Sequence, residues 1–327
     1  MVGYVVRRIV TMIPMMVVVS ILSFVIIQLP PGDFLTSYIA NLEAQGEIVD
    51  EDMIANLRAR YGHDEPIYVQ YLKWVKGMPS GNFGMSFTWK APVADLIWDR
   101  LLLTLVISLA TMLLTWVIAF PVGIYSAVFK YSFADYLFTF LGFLGMATPS
   151  FLLALVLMIL SFLWFNQSVG GLFSSDFVDA AWSLAKVLDL LKHLWLPVVI
   201  LGLSGTASLI RVMRANLLDE LNKPYVTTAR AKGLPERKVL LRYPVRIALN
   251  PFVSTLGWQL PHLVSGSTIV AVVLNLPSTG PLLLSALVAQ DMYLAGTFIM
   301  MLSGLTIVGT LLSDILLAWL DPRIRLA

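Results

Sequence analysis

Six stretches of this chain are apolar over the length needed to cross a bilayer, and that repetition constrains the fold more than any other feature. They run from Ile9 to Leu29, Leu101 to Phe129, Phe133 to Phe165, His193 to Ile210, Pro251 to Leu274 and Tyr293 to Trp319. A hydrocarbon core is spanned by about 20 helical residues, and inside it every backbone N–H and C=O must be bonded within the protein. With 58% hydrophobic and only 13% charged residues, the 327-residue chain falls in the membrane class. A closed barrel would show short strands alternating in polarity, and no such alternation is present. The expected architecture is an all-α membrane protein with six transmembrane helices.

Net charge is only +2, so its distribution carries more information than its sum. With both termini on the inner side, the inner segments hold Arg7, Arg8, Lys130, Arg211, Arg214, Lys223, Arg230, Lys232, Arg237, Lys238, Arg242, Arg246, Arg323 and Arg325, which is 14 of the 22 Lys and Arg. Positive charge marks the cytoplasmic side, and both termini are therefore expected there. There is no cysteine, which removes disulfides and thiolate metal sites. The opening Arg7-Arg8 and apolar run end in Leu29-Pro30-Pro31-Gly32-Asp33 without a small-x-small cleavage site, and the run is expected to be a retained first span.

The organisation expected is one membrane domain in three parts. Residues 1–29 form the first span, 30–100 an outer domain, and 101–327 a core with five spans that includes an inner loop over 212–248. The outer region is rich in aromatics (Tyr61, Tyr68, Tyr71, Trp74, Phe83, Phe87, Trp89, Trp98) and broken by Gly81-Asn82-Phe83-Gly84. Such residues anchor at headgroups or meet a partner. Between Asn166 and Leu191, the spacing of Trp182, Leu184, Val187, Leu188 and Leu191 predicts a short amphipathic helix.

The inner loop after the fourth span carries the most specific pattern. In the run from Tyr225 to Leu240, a short Ala-containing helix meets Gly233, which can take a positive φ and end it. Pro235 then suits a first helical position, with Glu236 in the first turn and basic residues after it. A basic amphipathic helix on anionic lipid would instead need a continuous apolar face. Two short helices broken at a defined glycine better fit a groove on another protein.

In this loop the sequence resembles the dipeptide, oligopeptide and nickel permease family of ABC importers. Thr228, Ala229, Arg230, Ala231, Lys232, Gly233 and Leu234 are similar to that family's ATPase-coupling segment, Gly233 holding the glycine of its "EAA" motif, although Thr227 and Thr228 replace the first two letters. Tyr4-Val5-Val6-Arg7-Arg8, Pro31-Gly32-Asp33, Tyr61-Gly62-His63-Asp64-Glu65-Pro66, Phe83-Gly84-Met85-Ser86 with Pro92-Val93, and Asp314 with Asp321-Pro322-Arg323-Ile324-Arg325 extend the resemblance over nearly the whole chain. It implies the type I ABC importer permease fold in a bacterial inner membrane, with a helical outer (periplasmic) domain between spans 1 and 2. The implied partners are a second, homologous permease subunit, two ABC ATPase subunits, an external solute-binding protein and membrane lipid, with no nucleic acid. No G-x-x-x-x-G-K-[ST] loop is present. No cofactor is expected in this chain, ATP and Mg being bound by the partner ATPases.

Polar residues within spans are costly and so are candidates for a solute path. Gln259, His262 and Ser265 share a face of the fifth segment beside Pro261 and are the candidate pathway residues, while most span serines and threonines can bond their own helix. Peptide-carrying members of the resembled family commonly have a glutamate where Ala271 stands, and the stretches from Leu274 to Pro281 and from Gln290 to Gly296 resemble members assigned to β-linked oligosaccharides of chitobiose or cellobiose type. Peptides and neutral oligosaccharides both remain open, with Ala271 favouring the second.

Two readings come from other classes. Gly202-Leu203-Ser204-Gly205 fits the G-x-S-G pattern of intramembrane serine proteases, which need a histidine such as His262 within hydrogen-bond reach of the serine. An ion-coupled secondary transporter would need intramembrane carboxylates, and the one acid credited to the six segments is Asp314, near the inner end of the last.

Overall fold

The computed structural model describes residues 2–28, 66–86, 88–165, 170–250, 252–254, 268–289 and 291–320. These are overwhelmingly helical, and among them β structure is limited to one isolated bridge between Met85 and Pro92. In chain order the helices are α1 (Val2–Gln28), α2 (Ile67–Gly77), α3 (Val93–Val128), α4 (Phe133–Ala147), α5 (Ser150–Phe165), α6 (Leu184–Leu221), α7 (Pro224–Ala231), α8 (Glu236–Arg242), α9 (Pro244–Ala248), α10 (Thr268–Val273), α11 (Thr279–Val288) and α12 (Met292–Leu320).

Among the described residues, three helical stretches are long and apolar enough to cross a membrane, Val93–Val128, Leu184–Leu221 and Tyr293–Leu317. Residues 9–28 of the first apolar run lie within α1. The fifth, Pro251 to Leu274, falls mostly outside the described residues.

The third run departs from expectation. It is not one straight span but two helices, Phe133–Ala147 and Ser150–Trp164, bent by 101°. The cause is Pro149, because the residue before a proline is pushed out of the helical region. Thr148 accordingly sits at φ −83° and ψ 120°, its N–H still donating to the Leu144 carbonyl. The short amphipathic helix expected before Leu191 is also corrected. From Leu184 onward it is the first part of α6, capped by Ser183, whose hydroxyl accepts from the Lys186 N–H. Nothing between Leu191 and the fourth apolar run breaks the helix, and Pro197 is accommodated inside it.

The chain divides into two compact units. One comprises Met1–Arg7, Thr104–Pro277 and Thr306–Ala327, the other Arg8–Leu103 and Ser278–Leu305.

In the second unit, Phe24 of α1 packs against Tyr71 and Trp74 of α2 with ring centroids 5.4 and 5.8 Å apart. The Ser20 and Tyr71 hydroxyls lie 2.7 Å apart, within hydrogen-bond distance. The Phe83-Gly84-Met85-Ser86 run folds onto the start of α12. Asp291 is fully buried there, accepting from the Ser86 hydroxyl at 2.5 Å and the Thr88 N–H at 3.1 Å, and it caps α12 through the Leu294 N–H. Gly84, at φ +91°, lies against the Tyr293 ring, where a Cβ would come within 2.9 Å. That motif is thus a fastening between the segment that follows α2 and the start of α12.

In the first unit, α4 and α6 pack along their lengths, with α9 against α6 and α10 against α5. A core there gathers Ala119, Ala127, Leu209, Met213, Leu217, Val245, Ala248 and Phe252. Small residues let the helices approach, as membrane helices require where dispersion rather than water expulsion drives packing. A Cβ on Gly123 would lie 2.6 Å from Met213 Cβ and 3.1 Å from the Ile210 carbonyl. Gly123→Val is expected to destabilise the protein by about 1–3 kcal/mol through overpacking, read as a lowered Tm of the purified protein in detergent.

Candidate functional site

The loop that follows α6 forms the helix, tight turn and helix expected of it. Helix α7 begins with Pro224 at its first position and ends at Ala231, after which Lys232 is near ψ 2° and Gly233 takes φ +72°. The Gly233 N–H donates to the Arg230 carbonyl at 2.9 Å and the Lys232 N–H to Thr228 at 3.1 Å, so the glycine closes the helix in the left-handed conformation that other residues enter at a cost. Pro235 is one position earlier than anticipated. It caps α8 from outside, at φ −59° and ψ 139°, and Glu236 is the first helical residue.

Helices of eight and seven residues are too short to persist alone, and packing holds these two. Val226, Ala229 and Val239 are buried against one another with Tyr225, Leu234 and Tyr243 around them. Each full burial of a valine contributes about 1.5–3 kcal/mol. Across the turn, Arg230 reaches Glu236 with an N–O distance of 2.6 Å. That partner holds the Glu236 carboxyl below the usual glutamate range and raises the Arg230 guanidinium. The Tyr225 hydroxyl donates to Glu220 at the end of α6, and burial, followed by that carboxylate, pushes the phenol up. Thr227, Thr228, Arg230, Ala231, Lys232, Gly233, Arg237 and Lys238 are left exposed. The loop is a pre-formed wedge with a basic tip, carried on the end of α6.

A second feature has no counterpart in the sequence reading. Asp135, in the first turn of α4, is only 2% exposed and receives two hydrogen bonds from Arg214 of α6, each 2.8 Å. The same carboxylate accepts the N–H of Tyr131, which is at φ +65°, while the Ser132 hydroxyl accepts from the Asp135 N–H. Asp135 falls inside the third apolar segment, so the expectation of Asp314 as the one acid there is corrected. The signal was legible, since an acid three residues after Tyr131-Ser132 marks a capped helix start, but its partner Arg214 is 79 residues away.

The candidate pathway residues Gln259, His262 and Ser265 lie outside the described residues. Among the other polar span residues, Thr148 returns its hydroxyl to the Leu144 carbonyl at 2.8 Å, and Asn275 occupies a positive-φ turn after α10. Ala271 is 1% exposed, whereas its neighbours Ile269 and Val272 point outward. A neutral residue at 271 therefore reports on packing within this chain. Gly202-Leu203-Ser204-Gly205 is continuous helix in α6. A Cβ on Gly202 would lie 3.2 Å from the Thr115 hydroxyl, and Thr206 donates to the Gly202 carbonyl at 2.7 Å. The run is a close helix contact.

Residues 1–110 match the family model for the N-terminal part of a binding-protein-dependent transport system membrane component, and residues 119–326 match that for a binding-protein-dependent transport system inner membrane component. The chain belongs to this family of ABC importer permeases. It is 36% identical over 327 residues to the oligopeptide transport system permease protein AppB of Bacillus subtilis, covering 99% of this chain and 100% of that one. A putative peptide permease protein of Brucella ovis is 35% identical, with 99% of each chain covered. The glutathione transport system permease protein GsiC of Escherichia coli K12 is 31% identical, again over 99% of each. The permease is accordingly a multi-pass membrane component of a transport system and not itself an enzyme.

Two outcomes follow from this geometry. Asp135→Asn leaves the partly exposed Arg214 guanidinium, 28% accessible, without its counter-charge and is expected to cost about 1.5–3 kcal/mol, while Asp135→Leu combined with Arg214→Leu costs less than either single change, both read from thermal unfolding by tryptophan fluorescence. The Arg230–Glu236 bridge contributes fully above the unperturbed glutamate pKa of 4.5. Because the folded pKa is lowered, the contribution is lost as pH falls through that lowered value. Hydrogen exchange at Lys232 and Gly233 should therefore speed up, relative to the α6 interior, only below about pH 4.5. The pair is exposed, so the change is small.

Proposed function

We propose that this permease subunit serves an ATP-driven importer of di- and oligopeptides, and that the α7–Gly233–α8 wedge is where the ATPase engages it. The wedge carries the proposal, as a pre-ordered, exposed, basic two-helix element on the end of a long apolar helix. It fits a cleft on a partner better than a lipid surface, because its apolar residues are spent inward on Val226, Ala229 and Val239. In this reading two ATPase subunits bind ATP and Mg, a second, homologous permease completes the path, and an external solute-binding protein delivers the solute. Both termini lie in the cytoplasm, by the placement of positive charge.

Peptides are favoured over neutral oligosaccharides because the relatives named above are peptide, oligopeptide and glutathione permeases. Ala271 is packed within this chain, which supports reading its neutrality as a property of packing. Closure of the ATPase pair moves the wedge and, through α6, changes the side to which the path opens. To turn a 1:99 balance of the two states into 99:1, the ATP-bound partner must favour one of them by about 5.5 kcal/mol. A wedge bound equally well in both states would transmit nothing.

The test is uptake by membrane vesicles carrying the assembled transporter and its binding protein. ATP-dependent accumulation of labelled di- or oligopeptide is expected, and accumulation of a chitobiose- or cellobiose-type sugar in its place would overturn the peptide reading. Gly233→Asp adds a branched side chain at φ +72° and is expected to leave the chain in the membrane while uptake and ATPase co-purification are lost. Normal uptake by that variant would remove the wedge from the coupling role.

A further inference from the structure

A groove of about 170 Å³ runs between α4 and α6, walled by Phe138, Phe143 and Met146 and ending at Arg211 and Arg214. Its floor exists because two small residues face each other there. A Cβ on Gly142 would rest 3.6 Å from that of Ala207, and any larger pair would close the space.

The two arginines differ in charge balance. Arg214 is neutralised by the bidentate contact with Asp135. Arg211, three residues earlier and so on the same side of the helix, is exposed and has no hydrogen-bond or ion-pair partner among the described residues. Lys130 does not line the groove, its ammonium lying over the Tyr131 ring at 5.4 Å. Counting Arg211 and Arg214 against Asp135, the polar end of the groove carries a surplus of one positive charge, while its walls are apolar.

We propose that this groove binds one anionic glycerophospholipid, with the phosphate on Arg211 and the upper part of one acyl chain along Phe138, Phe143 and Met146. Arg211 is the first charged residue after the apolar run that ends at Ile210, which puts it at headgroup level when α6 crosses the bilayer. Basic pockets between helices at the cytoplasmic face suit anionic headgroups. A free phosphate would satisfy Arg211 but leave the aromatic wall uncovered. A neutral or zwitterionic lipid would fill the wall but leave the charge surplus unmet. The proposal rests on α6 spanning the membrane with this end inward, and it is independent of which solute is carried.

The experiment uses the assembled transporter in membranes containing a photoactivatable phosphatidylglycerol, with adducts located by peptide mass spectrometry. Adducts are expected on residues 138–146 and 207–211. Arg211→Gln should reduce them about fivefold, the weight of one basic residue at an anionic surface. Arg211→Lys should restore them, and Arg246→Gln, at an exposed arginine outside the groove, should leave them unchanged. A photoactivatable phosphatidylcholine should label these residues weakly.

Equal labelling by the two lipids, indifference to Arg211→Gln, or absence of adducts from the groove in the assembled complex would overturn the proposal. So would displacement by glycerol 3-phosphate, which would make the groove a soluble-anion site, or by a transported peptide, which would make it part of the solute path. Labelling needs neither ATP nor uptake, so it can fail while peptide transport in the same vesicles succeeds, and the reverse.

Discussion

A carboxylate in an apolar helical protein must find a counter-charge, and Asp135 finds it in Arg214. The cost of burying either ion alone is several kcal/mol, so once Asp135 begins α4, the approach of α6 is determined to within the reach of one guanidinium. The left-handed turn at Tyr131 and the Ser132 cap are bonded to the same residue, and the connection from α3 into α4 is therefore locked by the pair as well. Arg214 lies seven residues before Leu221, where α6 ends, or about 10 Å along the helix axis. The wedge is thus borne on a helix pinned close to the point of attachment.

That placement matters for how a movement of the wedge would be carried. Tyr225 is bonded to Glu220 on the last turn of α6, and α9 packs against α6. Force applied at α7 or α8 would reach α6 through these contacts instead of dissipating in a loose loop. The wedge keeps its own small core, so its shape does not depend on the partner. Little ordering entropy would be lost when it docks, which favours binding through reduced cost.

How much of this was legible in the sequence can be argued residue by residue. The helix–glycine–helix form of the loop that follows α6 was readable because each part is local, with Gly233, Pro235 and Glu236 acting on their immediate neighbours. The apolar runs were readable because a bilayer sets their length. The bend at Thr148-Pro149 was readable in principle, since proline acts on the residue before it, yet the length of the apolar run from Phe133 to Phe165 concealed it. The Asp135–Arg214 pair was not readable as a pair. Its members are ordinary as isolated residues, one a helix-start acid and the other one of many arginines in the second half of the chain. Asp291 was hidden for the same reason, because its partners Ser86 and Thr88 are more than 200 residues away. Gln259, His262 and Ser265 fall outside the described residues, so the fifth segment contributes only residues 252–254 and its described end, α10, to the question of the path.

The solute class is the least legible property, and the physics of import explains why. An importer driven by a binding protein can place its recognition in that protein, because the membrane step has to release the solute on the far side. A path that held one solute tightly in both states would trap it, since only a difference in affinity between states does work. The outward-facing residues of α10, Ile269 and Val272, are aliphatic, and α4 and α5 present Phe140, Phe143, Leu144, Phe151 and Leu155. Surfaces of this kind carry little chemical information about a ligand, whether lipid, a second permease or the path itself covers them. Ala271 illustrates the consequence. Its neutrality can be read as a property of the path only if its side chain reaches the path, and within this chain it is packed away. In such a permease the residues with a physical assignment are those that shape the wedge and those that pin α6, Val226, Ala229 and Val239 in the first case and Asp135 with Arg214 in the second.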